Sequence, residues 1–90
     1  MNSSAWTVYI IEAKNGNLYT GITTDLDRRL SEHREGKKGA KFFRSSEASH
    51  LRFQEPHPNR SAASKREAEI KKLSHKEKLV LIRDLPSRSA

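Results

Sequence analysis

Ninety residues, 33% of them hydrophobic and 32% charged, bound this chain to one modest domain with a small core. The formal charge is +7 and the pI about 10.1, which favours an anionic partner such as nucleic acid or an acidic membrane surface. Cysteine is absent, which excludes disulfide staples, thiolate-bound zinc and a thiol nucleophile. Trp6 to Ala13 reads as a strand, aromatic and β-branched, and Leu18 to Ile22 as its returning partner.

The loop between these strands decides which side chains share a face. A two-residue Asn-Gly turn would pair Tyr9 with Ile22 and place Tyr9 and Tyr19 on opposite faces. A three-residue loop closing Ala13 on Asn17, with Gly16 left-handed, pairs Tyr9 with Gly21 and Ile11 with Tyr19. Only the longer loop lets the two phenols cooperate.

Thr24, with Asp27 three residues on, reads as the N-cap of a first helix over Asp25 to Glu35, and Gly36 as its stop. Leu26 and Leu30 form its apolar stripe. Arg29 and His33 fall at i+3 and i+7 from Leu26, so they border the buried face. Arg28, Glu32 and Glu35 read as ordinary surface charge. A Gly-rich basic segment with an aromatic pair follows, Gly36 to Arg44, and then a short strand of roughly His50 to Gln54. Glu55 to Asn59 reads as a turn. A second helix is expected from about Ser61 to Leu73, its inward stripe Ala63, Ile70 and Leu73, with Glu67 on the same stripe. Ser74 and Glu77 form a capping box opening a third helix that runs to Leu85 and stops at Pro86. The expectation is a single domain over residues 1–90, its core about 5–85 and its tail, 86–90, frayed.

Strand tyrosines usually pack the ring and leave the hydroxyl at the rim. Arg29 and His33 can snorkel beside Leu30, and Glu67 can pair with a nearby cation. Taken together these readings strain, because a guanidinium and a carboxylate on apolar stripes need partners. One polar site between the hairpin and two helices would satisfy all of them. It would offer a general base, a cationic clamp and a single carboxylate for Mg²⁺, the outline of a phosphodiester-cleaving centre. His50 and His57 are too isolated to suggest a structural metal.

Thr7-Val8-Tyr9, Tyr19-Thr20-Gly21, Arg29 with His33, and Ala63-x-x-x-Glu67 together resemble the GIY-YIG nuclease domain over about residues 5 to 82. The small stand-alone bacterial members are most similar, through Tyr19 to Leu26, Arg28-Arg29, Gly39-Ala40-Lys41 and Ile70 to Ser74. Thr7 stands where the motif has its first glycine, and Thr20 where it has an aliphatic residue. The resemblance implies a small α/β fold, a three-stranded, mainly antiparallel sheet flanked by about three helices. It implies a divalent-metal-dependent endonuclease acting on DNA, in repair or recombination, with RNA also open as substrate. Tyr9 or Tyr19 would assist deprotonation of water, His33 would relay the proton, Arg29 would offset transition-state charge, and Glu67 would hold Mg²⁺ (or Mn²⁺). Lys37, Lys38, Lys41 and Arg44 would grip the phosphate backbone, with targeting left to an accessory protein or a homodimer. The alternative is a nucleic-acid-binding module that keeps the fold without cutting. The N-terminus lacks a signal-peptide pattern and no apolar run approaches the ~20 residues of a membrane span, so the expected location is cytoplasmic.

Overall fold

A computed structural model describes residues 5–35, 48–83, 85 and 88–89. Four strands and three helices follow in the order β1 (Trp6–Ala13), β2 (Leu18–Thr23), α1 (Leu26–Glu35), β3 (Ala48–His57), α2 (Arg60–Lys71), α3 (His75–Ile82) and β4 (Arg88–Ser89). The sheet order is β2-β1-β3-β4, antiparallel at every pairing. Three strands carry the sheet, as expected for this α/β fold. The two-residue β4 pairs with His50 and Leu51 at the edge, where fraying was expected.

Alternation along β1 and β2 builds two cores. Val8, Ile10, Leu18 and Phe53 face α2 and α3, meeting Ala63, Ile70 and Ile82. Tyr9, Ile11, Ala13 and Leu51 face the other way, against Leu30 of α1, with Tyr19 and Leu26 packed beside them. Leu51 and Phe53 are two apart yet serve opposite faces. The pairing of β1 with β3 skips Arg52 between Ile10↔Phe53 and Ile11↔Leu51, and that bulge reverses the alternation.

Several boundaries differ from those expected. β3 continues through Pro56, expected in a turn. Pro56 pairs with Thr7 on one side, and β4 does not reach it on the other, so the missing N–H is tolerated. The first helix is capped by Asp25 rather than Thr24, since Asp25 Oδ1 accepts from the Arg28 N–H at 3.1 Å. α2 begins earlier, because Asn59 caps it by accepting from the Ala62 N–H. The Ser74–Glu77 capping box is present, but α3 ends at Ile82. Among the described residues no helix is long and apolar enough to cross a membrane.

Candidate active site

The hairpin takes the longer loop. Ala13 N–H donates to Asn17 O at 2.8 Å, Gly16 N–H donates to Ala13 O at 2.9 Å, and Gly16 adopts φ 89°. Only a residue without Cβ takes that conformation freely. The register is therefore Tyr9↔Gly21 and Ile11↔Tyr19, and both phenols emerge on the α1 face with ring centroids 6.2 Å apart.

α1 delivers the remaining groups to that face. Asp25 fixes its start, and Leu26 and Leu30 pack toward the sheet. Arg29 and His33, on the same side of the helix, reach the tyrosines. The His33 ring lies 6.1 Å from Tyr9 and 5.4 Å, edge-on, from Tyr19, and its Nε2 is 3.2 Å from Tyr9 Oη. The Arg29 guanidinium hydrogen-bonds both phenols and donates from Nη1 to Glu32 Oε1 at 2.9 Å. An arginine has only donors, so Tyr9 Oη accepts from it. Which of Tyr9 Oη and His33 Nε2 donates to the other follows the tautomer of the imidazole.

Burial dominates the electrostatics. Tyr9 is 1% exposed, and desolvation pushes its phenol up to about 12, with the Tyr19 and Glu67 charges adding and Arg29 opposing. The guanidinium expected to activate a tyrosine thus does not outweigh burial at Tyr9. His33 is 2% exposed; burial first, and then the Arg29 charge, lower it to about 4, so the ring is neutral at pH 7. Burial works against the charge on Arg29, but its hydrogen bonds to Tyr9, Glu32 and Tyr19 more than offset this and raise its pKa.

Tyr9, Tyr19, Arg29 and His33 are thus brought together around one point. Glu67 is not placed among them so closely. It comes from the α2 layer, pairs with Lys71 at 3.2 Å, and acts on Tyr9 through its charge. Lys37, Lys38, Lys41 and Arg44 lie outside the described residues. Two residues escape sequence reasoning. Glu32, expected as surface charge, is half-buried and grips Arg29; its i+3 spacing from Arg29 is the available signal. Gly21 is needed by packing, since a Cβ there would sit 2.6 Å from Tyr9 Oη and 2.7 Å from its Cζ. The cross-strand pairing of Tyr9 with Gly21 and the glycine of the Tyr19-Thr20-Gly21 motif are the available signals.

Among the described residues no three His, Cys, Asp or Glu side chains cluster as a metal cage. The half-buried carboxylates nearby are Glu32, engaged by Arg29, and Glu67, paired with Lys71. That suits Mg²⁺, which keeps several waters and binds through one or two carboxylates plus substrate oxygens.

The GIY-YIG catalytic domain family matches residues 5–79. A UPF0213 protein of Desulfotalea psychrophila is 47% identical over 79 residues, spanning 88% of this chain and 72% of its own. A UPF0213 protein of Syntrophus aciditrophicus is 46% identical over 81 residues, 90% of this chain and 93% of its own. The solution NMR structure of a UPF0213 protein from Bacillus halodurans is similar with a TM-score of 0.52 at 40% identity, covering 91% of this chain and 88% of that one.

Proposed function

We propose that this chain, which belongs to the GIY-YIG catalytic domain family, is an endonuclease that hydrolyses DNA phosphodiester bonds with a divalent cation. The observation that carries the reading is the bonding of Arg29 to Tyr9, Tyr19 and Glu32 beside a buried neutral His33. A guanidinium oriented by two phenols and a carboxylate is a preorganised stabiliser of the charge that builds on a phosphoryl group. In a purely structural core its polar partners would gain little over apolar packing.

Within the site the roles divide by exposure. Tyr19 is half-buried and closer to solvent than Tyr9, so its phenol orients the attacking water and the phosphate. Tyr9 holds Arg29, and its hydroxyl lies 3.2 Å from Nε2 of the neutral His33 ring. His33 thereby orients the phenol network as a neutral ring. Arg29 binds the non-bridging oxygens and stabilises the transition state. Glu67 would hold Mg²⁺ or Mn²⁺, and such an ion supplies a lowered pKa for bound water and a counter-charge for phosphate. Lys37, Lys38, Lys41 and Arg44 would grip the backbone beside the site. A role in repair or recombination of DNA, in the cytoplasm, completes the reading.

Supercoiled plasmid incubated with the protein in Mg²⁺ or EDTA tests it. The native chain should nick only with the metal. Arg29→Ala should lose nicking, by about 10²–10³-fold on the scale of a removed oxyanion donor, while DNA affinity changes little. Arg28→Ala, whose side chain is 70% exposed against 29% for Arg29, should be nearly silent. Equal loss from both substitutions would refute the assignment. DNA binding with no metal-dependent nicking would support the non-cutting module instead.

A further inference from the structure

The positive charge of this protein is not carried by the elements that build most of the site. Residues 1–35, which contribute Tyr9, Tyr19, Arg29 and His33, hold four Lys or Arg against five Asp or Glu. Residues 60–83 hold eight against three. A polyanion is therefore repelled slightly by the hairpin and α1 and attracted by α2 and α3.

Part of that charge is engaged locally. Arg66 pairs with Glu55 and Glu69, and Arg60 stacks over the Trp6 ring at 5.6 Å. Lys65, Lys72 and Lys76 are exposed and make no ion pair among the described residues. Lys72 opens the three-residue turn between the helices, and Lys76 lies in the first turn of α3. That turn is braced: Leu73 N–H donates to Ile70 O at 3.0 Å, and the Ser74–Glu77 box opens α3 with bonds of 2.8 and 3.1 Å. Lys71, one residue before Lys72, reaches back to Glu67, so the corner lies about one helical turn from that carboxylate. Lysines on a rigid corner meet phosphates without the cost of ordering a loop.

We propose that the α2–α3 corner, centred on Lys72 and Lys76, is a phosphate-backbone docking surface holding a nucleic-acid strand as it leaves the site at Glu67. This rests on the nucleic-acid reading above, though not on cleavage. Such lysine–phosphate pairs position the strand and read no sequence. The exposed Leu79 and Val80 nearby on α3 suit an anionic membrane surface as the rival occupant, but the eight-residue helix offers two exposed apolar side chains there, little area for insertion.

The experiment compares two double variants of the full chain with equal charge loss, Lys72→Ala/Lys76→Ala and Lys14→Ala/Arg28→Ala. Anisotropy of labelled duplexes of two unrelated sequences is followed across salt. The corner variant should weaken both duplexes alike and flatten the log–log salt slope by up to about 1.8, at about 0.9 for each phosphate no longer neutralised. Lys72→Arg/Lys76→Arg should restore the slope, and matched thermal melts show that folding is unchanged. An unchanged slope in the corner variant, or an equal flattening in the control pair, overturns the proposal. So does a corner variant that loses binding to phosphatidylserine vesicles while its DNA slope stays native. Nicking is scored separately: a native chain that never nicks but shows the corner effect loses the cleavage reading alone, whereas a nicking chain without the effect loses the corner alone.

Discussion

Gly21→Ala is the smallest perturbation that should reach the whole tyrosine network. The new methyl would lie 2.6 Å from Tyr9 Oη, 2.7 Å from Cζ and 3.2 Å from Tyr19 Cε2, where ordinary contact begins at 3.4 Å. The Tyr9 phenol must therefore shift by about 0.8 Å, and a buried ring with 1% exposure has no room to swing aside cheaply. Overpacking of this kind costs about 1–3 kcal/mol of stability. The displaced Oη also leaves its 3.2 Å approach to His33 Nε2 and its bond from Arg29. A misplacement near 1 Å can cost about 10²-fold in rate, and a loss of that order in nicking is expected. Urea unfolding measures the change in stability, NMR titration of His33 reports the displaced phenol, and plasmid nicking reports the chemistry. A variant within about 0.5 kcal/mol of native stability, the scatter of an ordinary surface change, with an unmoved His33 spectrum, would refute the close-approach argument outright.

His33 should make stability depend on pH. Its folded value of about 4 lies below the ordinary 6.5, so between those limits the unfolded chain binds more protons and stability falls as pH falls. The full gap corresponds to about 3 kcal/mol, lost on acidification from about 6.5 and flat below about 4; the native-minus-His33→Gln difference in unfolding free energy across that range measures it, and a pH-independent difference would refute it. Glu67→Gln should weaken Mn²⁺ binding in calorimetric titration, whereas Glu69→Gln, exposed and paired with Arg66, should not; unchanged affinity in the first variant would place the ion elsewhere. Thr20 buries a hydroxyl with no hydrogen-bond partner among the described residues, so Thr20→Val should stabilise the fold by about 1 kcal/mol in chemical denaturation, and a destabilised variant would show that the hydroxyl is satisfied.

Local chemistry determined more of this protein than its size suggests. The sequence allows two hairpin registers, and the left-handed Gly16 turn selects the one in which Tyr9 and Tyr19 share a face. The spacing of Leu26, Arg29, Leu30 and His33 orients α1, and Ser74 with Glu77 starts α3. These follow from interactions within a few residues, which periodicity and capping chemistry encode directly. The remainder depends on what packs across from each element. The bulge at Arg52 turns Leu51 and Phe53 to opposite cores, although their spacing predicts one face. The depth of His33, the upward shift of Tyr9 and the close approach over Gly21 arise where α1 meets the hairpin, between residues as many as 24 apart. Glu67 joins them only through its charge, from the opposite layer. A side chain's own element sets which way it points, but its solvation and its partners are set by whatever the fold lays against it.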